Sequence, residues 1–202
     1  HNSLIWGENL TNVFITGHGM INGGGLDRNP KILDAMCGFE HFGTPNTNEF
    51  KPVRIGNKSI ALKLCRNVVI KDITLYMGGH FALLATGVDN LTIDNVKVDT
   101  NRDGFDIDVC RNVRISNCSV NSPQDDGIVL KSSYALGFAR PTENVTITNC
   151  QLSGYDPGTF LDGTFKRTLE RAPDRDGPTG RIKFGTESNG GFRNISISNC
   201  VF

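Results

Sequence analysis

The sequence has little of what marks several large classes of protein. No apolar run approaches the roughly 18 residues that a transmembrane helix needs, and aromatic residues make up only 8%. Lysine plus arginine and aspartate plus glutamate both number 21, so no excess charge points to a nucleic acid or to an anionic membrane. We therefore expect a partner that a local site recognises, with no nucleic acid and no membrane involved.

Signals for bound zinc and for long helices are also missing. No CxxC motif or Cys/His ligand spacing occurs, which argues against structural zinc. No long stretch places apolar residues at helical spacing, whereas glycine numbers 23. The composition, with 38% hydrophobic residues in 202, is typical of one globular domain made of strands and turns.

One short pattern recurs along the chain: an asparagine followed by alternating apolar residues. Its copies carry Asn12, Asn67, Asn90, Asn112, Asn144 and Asn194. The gaps are 55, 23, 22, 32 and 50 residues, which indicates a unit of 22 to 23 residues with longer excursions. A further strand precedes the asparagine in several units, at 81–85, 104–108, 127–131 and 181–185. Three strands per coil predict an all-β fold, a right-handed parallel β-helix with strands about 4.8 Å apart.

The repeat also predicts two ladders of identical residues. Cys118, Cys150 and Cys200 hold one position of the unit, where other units carry aliphatic residues, so we expect buried thiols. Cys37 and Cys65 remain possible disulfide partners. The repeated asparagines are expected to stack at a turn and to bond the backbone.

Five aspartates lie between residues 103 and 126. Asp103 precedes Asp125 by 22 residues and Asp126 by 23, so one unit separates them and the three carboxylates should meet at one sheet edge. His80, 23 residues before Asp103, is expected one coil below. Aspartates are common in turns, but clustered like charges are costly unless a ligand or a reaction uses them. The trio is therefore a candidate functional site.

The unit length carries two more expectations. Asp108 lies 23 residues before Lys131, which favours a surface ion pair between neighbouring strands. Residues 132–143 and 154–180 interrupt the repeat just beyond the aspartates, and such excursions from a solenoid are expected to form the walls of a cleft.

Several motifs together resemble one family of enzymes. NRDGFD (101–106) and QDDGIVLKS (124–132) resemble the NTDGxD and DD signatures of the pectin-degrading glycoside hydrolases of family 28, which include polygalacturonases and rhamnogalacturonan hydrolases. TGHGMINGGG (16–25) resembles the first coil of that family, and 179–194 resembles the coil after the DD motif. The resemblance implies hydrolysis of O-glycosidic bonds in polygalacturonate or rhamnogalacturonan with inversion, by a secreted or periplasmic monomer without a cofactor or metal.

The resemblance also implies roles for the aspartates. Asp125 would be the general acid that protonates the glycosidic oxygen, and Asp103 and Asp126 would position and activate water. Glu187 is a rival acid. The residues expected to bind substrate are His80, Arg102, Lys131, Arg181 and Lys183. Three of these, Lys131, Arg181 and Lys183, are candidates to bind the carboxylate of a uronic acid.

The sequence departs from the family pattern at three points. Arg102 stands where the family has threonine, a family histidine would fall at about Gly180, and the RIK tripeptide at 181–183 lies one coil early. Two alternatives therefore stay open: a lyase of the pectate-lyase type, with Ca²⁺ on the aspartates and Arg102 as base, and a non-catalytic glycan-binding β-helix. We expect residues 1–202 to be one domain, truncated from a longer catalytic domain.

Overall fold

The computed structural model describes residues 3–24, 58–168 and 180–202. These residues form seventeen strands and no helix. Among them, accordingly, no helix is long and apolar enough to cross a membrane. The strands form three parallel sheets, and each sheet receives one strand from every complete coil.

The sheets follow the three strands of the unit. The first contains β1 (Ile5–Glu8), β4 (Lys58–Lys63), β7 (Phe81–Thr86), β10 (Asp103–Asp108), β13 (Ile128–Lys131) and β16 (Ile182–Phe184). The second contains β2 (Thr11–Thr16), β5 (Arg66–Lys71), β8 (Asp89–Asp94), β11 (Arg111–Ser116), β14 (Thr142–Thr148) and β17 (Phe192–Ser198). The third contains β3 (Met20–Asn22), β6 (Thr74–Tyr76), β9 (Lys97–Asp99), β12 (Ser119–Asn121) and β15 (Gln151–Ser153). The predicted right-handed parallel β-helix is confirmed.

The core fills the inside of the coils with aliphatic side chains from all three sheets. Phe105 is the largest side chain that is fully buried. The predicted cysteine ladder lies in this core: Cys118 and Cys150 are buried, Cys200 is half-buried, and all three are free thiols. Each thiol donates to the carbonyl two residues earlier, at 3.1 to 3.3 Å. Cys65 is also a buried free thiol, whereas Cys37 lies outside the described residues.

The asparagine ladder stacks as predicted, but its hydrogen bonds differ from the prediction. Each of the six asparagines has a left-handed φ between 51° and 60°. Their side-chain amides bond to one another rather than to the backbone; the Nδ2 of Asn112, for example, donates to Oδ1 of Asn90 at 3.1 Å. Identical amides repeat once per coil, so each can donate to the asparagine of the preceding coil and accept from that of the following coil.

Residues 132–143 and 154–168 of the excursions lie against other corners of the coils. Within 132–143, Leu136 packs against Gly87, and Arg140 bonds Asp89 at 2.5 Å, which holds this segment over the corner between the first two sheets. Within 154–168, backbone N–H groups donate to the buried carboxylate of Asp99, beside the third sheet. None of the residues in 132–143 and 154–168 lines the cavity described below, so the expectation that the excursions wall the cleft is not met by these two parts. The rest of the second excursion up to residue 179 lies outside the described residues.

Candidate active site

A polar cavity of about 200 Å³ opens on the outer face of the first sheet. Most of its lining residues stand at the starts of β10, β13 and β16 or in the turn after β16. The lining is His80, Arg102, Asp103, Asp125, Asp126, Lys131, Lys183, Gly185, Thr186 and Glu187. The sheet therefore collects, from coils far apart in the chain, most of the residues that the sequence singles out.

Glycines fix the position of the aspartates on this sheet. Asp103 is followed by Gly104, and Asp126 by Gly127. A Cβ at Gly104 would stand 2.4 Å from the carbonyl oxygen of Gly127, and one at Gly127 would stand 2.6 Å from that of Arg181. Only a residue without a side chain lets neighbouring coils approach so closely. The two Asp-Gly pairs therefore place Asp103 and Asp126 at the same position along neighbouring strands.

The three aspartates converge as their spacing predicts. An oxygen from each of Asp103, Asp125 and Asp126 lies within 4.8 Å of the others. The N–H of Asp126 donates to Oδ1 of Asp103 and to Oδ1 of Asp125, each at 3.1 Å. All three residues are at most 5% exposed. Three buried carboxyl groups in such proximity repel one another when ionised, and the site must compensate for that repulsion.

Two cations from the protein compensate two of the three carboxylates. A terminal nitrogen of Arg102 lies 3.0 Å from Oδ2 of Asp125. The Nζ of Lys183 lies 2.9 Å from Oδ2 of Asp126, whose Oδ1 accepts the N–H of Gly180 at 2.8 Å. Both oxygens of Asp126 are thus engaged, and the orientation of this carboxylate is fixed.

Asp103 is the carboxyl group of the trio that is best placed to hold a proton. Burial raises its pKa well above the ordinary value of 3.8, and the carboxylates of Asp125, Asp106 and Asp126 raise it further, while Lys131 acts in the opposite direction. Close carboxyl groups exchange protons as a unit. Asp103 is therefore the member of the trio whose surroundings favour the protonated form.

Lys131 has a different partner from the predicted one. Lys131 and Asp108 are Cα neighbours, but Nζ of Lys131 bonds Oδ2 of Asp106 at 2.8 Å and lies 3.7 Å from Glu187. Asp108 instead accepts from the N–H and hydroxyl of Ser133, at 2.8 and 2.6 Å. The ammonium reaches a buried acid because burial without a partner is costly. Burial raises the pKa of Asp106 to about 6, although Lys131 acts against this rise.

The remaining predicted residues occupy two different environments. His80 lines the cavity, and its ring packs edge-on against Phe81 with centroids 4.5 Å apart. In register, however, Phe81 and not His80 is the neighbour of Asp103. Arg181 is not among the lining residues; its guanidinium donates to the backbone carbonyls of Ser122 and Ser153, each at 2.5 Å. It ties two corners of the third sheet together and does not face the cavity.

The position of the expected family histidine has a specific structure here. A Cβ at Gly180 would lie 2.9 Å from Cβ of Lys183 and 3.4 Å from Oδ1 of Asp126. A side chain at Gly180 would require Lys183 or the backbone to shift, so glycine at this position allows Lys183 to stand against Asp126 as it does. The lysine supplies the cation at this edge of the site.

Sequence reasoning missed four contributors to this site. Gly185 and Thr186 complete the lining, Asp106 holds Lys131, and Gly180 leaves room for Lys183. Two long excursions separate Lys131 from the turn after β16 in the sequence. The length of the repeat unit therefore could not predict which residues of that turn lie beside Lys131. The Asp-Gly repetition at 103–104 and 126–127 was a usable signal for the close approach of the coils.

The trio also has the spacing of a cation site. Its counter-charges, however, come from the side chains of Arg102 and Lys183, which already occupy outer oxygens of Asp125 and Asp126. A divalent cation would therefore enter a cluster that already binds two cations of the protein.

Comparison with known proteins identifies the family and supports the fold. The family model for the glycosyl hydrolases family 28 matches residues 1–156. A probable polygalacturonase of Vitis vinifera is 28% identical over 157 residues, which cover 73% of this chain and 28% of that protein. The crystal structure of a hyperthermoactive exopolygalacturonase from Thermotoga maritima has a TM-score of 0.68 at 20% identity, covering 99% of this chain and 46% of that chain. The chain thus spans less than half the length of either relative.

Proposed function

The chain belongs to the glycosyl hydrolases of family 28, and from this premise we propose that it takes part in hydrolysing glycosidic bonds in a pectic polysaccharide. The observation that carries the proposal is the convergence of Asp103, Asp125 and Asp126 at one cavity. Glycoside hydrolysis needs one carboxyl group that holds a proton and another that stays ionised. The trio supplies both kinds.

We assign the proton donor as follows. In this proposal a proton held by Asp103 passes to Asp125 when a sugar binds, and Asp125 gives it to the leaving glycosidic oxygen as the C–O bond breaks. Asp103, then ionised, and Asp126 orient a water molecule toward the anomeric carbon, and Asp126 accepts the proton of that water. Asp126 suits this role because Lys183 and Gly180 fix both of its oxygens.

Three other residues would border the bound sugar. His80, Lys131 and Thr186 line the cavity around the trio. Lys183 and Arg102 form ion pairs with the aspartates, and Arg181 bonds the backbone beside the third sheet. The proposal therefore keeps Arg181 out of the set that contacts substrate.

The stereochemical course is a separate part of the proposal. The oxygens of the trio lie within 4.8 Å of one another, closer than the about 6.5–9.5 Å between carboxyl groups of inverting enzymes. We nevertheless propose inversion. Both oxygens of Asp126 are engaged by Lys183 and Gly180, which suits this carboxylate better to directing a water molecule than to attacking the anomeric carbon. Proton NMR of the first product should show the opposite anomeric configuration to the substrate; retention would make Asp126 or Asp103 a nucleophile.

Product analysis tests hydrolysis against its alternatives. The enzyme, incubated with pectic oligosaccharides, should release reducing ends without any ultraviolet absorbance from an unsaturated uronide. Absorbance that a chelator abolishes would identify a lyase instead. Binding of the oligosaccharides without any product over long incubation would identify a glycan-binding module.

A further inference from the structure

Lys131 differs from the other two basic side chains of the cavity in the acid that it bonds. Arg102 and Lys183 form ion pairs with members of the trio. The Nζ of Lys131 lies 2.8 Å from Oδ2 of Asp106, a residue outside the lining, although Lys131 itself is part of that lining. The charge of this lysine is thus directed to an acid that does not face the cavity.

Asp106 has Lys131 as its one polar partner among the described residues. The side chain of Asp106 is 1% exposed, and apart from the ion pair neither of its oxygens accepts a hydrogen bond within the described part of the chain. Burying a carboxylate with so few partners costs stability. The position that it gives to the lysine is a reason for this cost.

Asp103 is the acid of the trio that Lys131 can reach but does not bond. The Nζ of Lys131 lies 5.5 Å from the ring centroid of Phe81, the register neighbour of Asp103. Burial and the carboxylates of Asp125 and Asp106 raise the pKa of Asp103, and Lys131 acts to lower it. An ammonium can serve two acids at once, but among the described residues no ion pair joins Lys131 to Asp103.

We propose that Asp106 is a positioning residue, which holds the ammonium of Lys131 away from Asp103 and so lets Asp103 keep the proton that hydrolysis uses. The inference rests on the proposed function and deepens it. Lysine carries its charge on a flexible stem, and the acid that bonds this charge is the one that ionises more readily. While Asp106 bonds the lysine, Asp103 retains the proton.

Other charged groups surround the two acids and the lysine and contribute to the same balance. Glu187 lies 3.7 Å from Nζ of Lys131 and supports its position from the turn after β16. The remaining titratable or charged groups around them are His80, Arg102, Asp108, Asp125, Asp126 and Lys183. Of these acids and cations, Asp106 is the one that bonds Lys131 directly, so its removal is the most specific test.

The order in which the two acids lose their protons can be measured without a variant and without activity. In carbon NMR of the aspartate carboxyl groups, Asp106 should ionise first as the pH rises, at a pH of about 6. Asp103 should still hold its proton at that pH. Ionisation of Asp103 before Asp106 overturns the proposal.

Asp106→Asn tests the consequence for catalysis. The amide has the shape of the carboxylate but no charge, so Lys131 should turn to Asp103 and ionise it. We expect the alkaline limb of kcat/KM on pectic oligosaccharides to move to lower pH by about one unit or more. A double variant with Asp106→Asn and Lys131→Met lacks the lysine that would turn, and its limb should return close to the wild-type position.

A merely structural role of Asp106 would give a different result. Lost packing lowers the rate at every pH without moving the limb, and removal of Lys131 as well would not reverse the loss. An unmoved limb in the single variant, or a limb that stays displaced in the double variant, therefore refutes the inference. Lys71→Met, which removes a half-exposed lysine from the second sheet, should leave the profile unchanged.

Failure of the proposed function is distinguishable from failure of this inference. If no pectic oligosaccharide releases reducing ends, the proposed hydrolysis is wrong, and the NMR titration decides the inference alone. Asp103 should then lose its proton at a lower pH in Asp106→Asn than in the wild-type protein. An equal pH in the two proteins refutes the inference whether or not hydrolysis occurs.

Discussion

Replacing Asp125 by asparagine tests the proposed acid directly. The amide keeps the shape of the carboxylate but carries no proton to the leaving oxygen. General acid catalysis contributes typically 10²–10⁴-fold, so we expect turnover of a natural pectic substrate to fall by about 10²-fold or more, equivalent to about 2.7 kcal/mol of barrier. On an activated substrate, whose leaving group needs no proton, turnover should fall far less.

The substitution also removes a charge partner, and this effect has to be measured separately. The side chain of Arg102 is only 11% exposed and bonds Asp125 at 3.0 Å. Breaking a buried pair costs about 3–5 kcal/mol, which could lower the free energy of unfolding without any effect on chemistry. Denaturant unfolding of the variant therefore accompanies the kinetics, and rates are measured only where the variant is fully folded.

The comparison variants make the result specific. Asp103→Asn should lower turnover on both substrates, because Asp103 is proposed to orient the water after it gives up its proton. Asp106→Asn removes a buried carboxylate of the same strand that does not line the cavity but holds Lys131, so at a pH at which Asp103 keeps its proton it should lower turnover of the natural and the activated substrate by the same factor. If the activated substrate rescues Asp103→Asn and not Asp125→Asn, the reasoning is refuted, and Asp103 donates the proton itself.

Three further predictions concern stability. Burial raises the pKa of Asp106 to about 6, so between pH of about 4 and about 6 the folded state holds a proton that the unfolded state has lost. The free energy of unfolding should therefore fall by up to about 3 kcal/mol as the pH rises through this window. Denaturant unfolding of Asp106→Asn across the same window should show a smaller fall. Asn112→Ala should lower the free energy of unfolding by about 2 kcal/mol, because it removes two ladder hydrogen bonds and puts alanine at a left-handed φ. Asn112→Gly should lower it less, because glycine adopts that φ without strain. Equal losses for the two variants in denaturant unfolding would contradict the argument from φ. Gly104→Ala should lower the free energy of unfolding by about 1–3 kcal/mol, because its Cβ would overlap the carbonyl oxygen of Gly127. Gly19→Ala, where a Cβ meets open space, should leave it unchanged. No effect of Gly104→Ala would mean that the neighbouring coils can move apart.

The fold could be predicted from the sequence because the repeat is a direct record of the coil. Each asparagine marks the same corner, and the alternating apolar residues after it predict which side chains face inward. The same regularity brought Asp103, Asp125 and Asp126 together. Neither inference needed to know how long the excursions are.

The partners within the site could not be predicted, because units of 22 and 23 residues both occur. Asp103 is the neighbour of Phe81, 22 residues away, while Arg102 bonds Asp125, 23 residues away. A difference of one residue in the length of the unit thus determines whether a side chain lies beside an aspartate or beside the ring of Phe81. Lys131 adds a second difficulty, since its side chain leaves the register neighbour for the buried Asp106 on the same strand as that neighbour. Burial and side-chain length determine such choices, and a linear spacing contains neither.

Under the proposed mechanism, the number of cations bonded to the trio determines whether it keeps a proton to donate. Three carboxylates stand together, and two of them, Asp125 and Asp126, have a cation bonded within the protein. A third bonded cation would hold Asp103 ionised as well and leave nothing to donate. With only one cation, two carboxyl groups would tend to be protonated, and the water would lose a base. In the proposed mechanism, two bonded cations leave Asp103, whose pKa burial raises well above the ordinary value, to hold the proton from which hydrolysis begins.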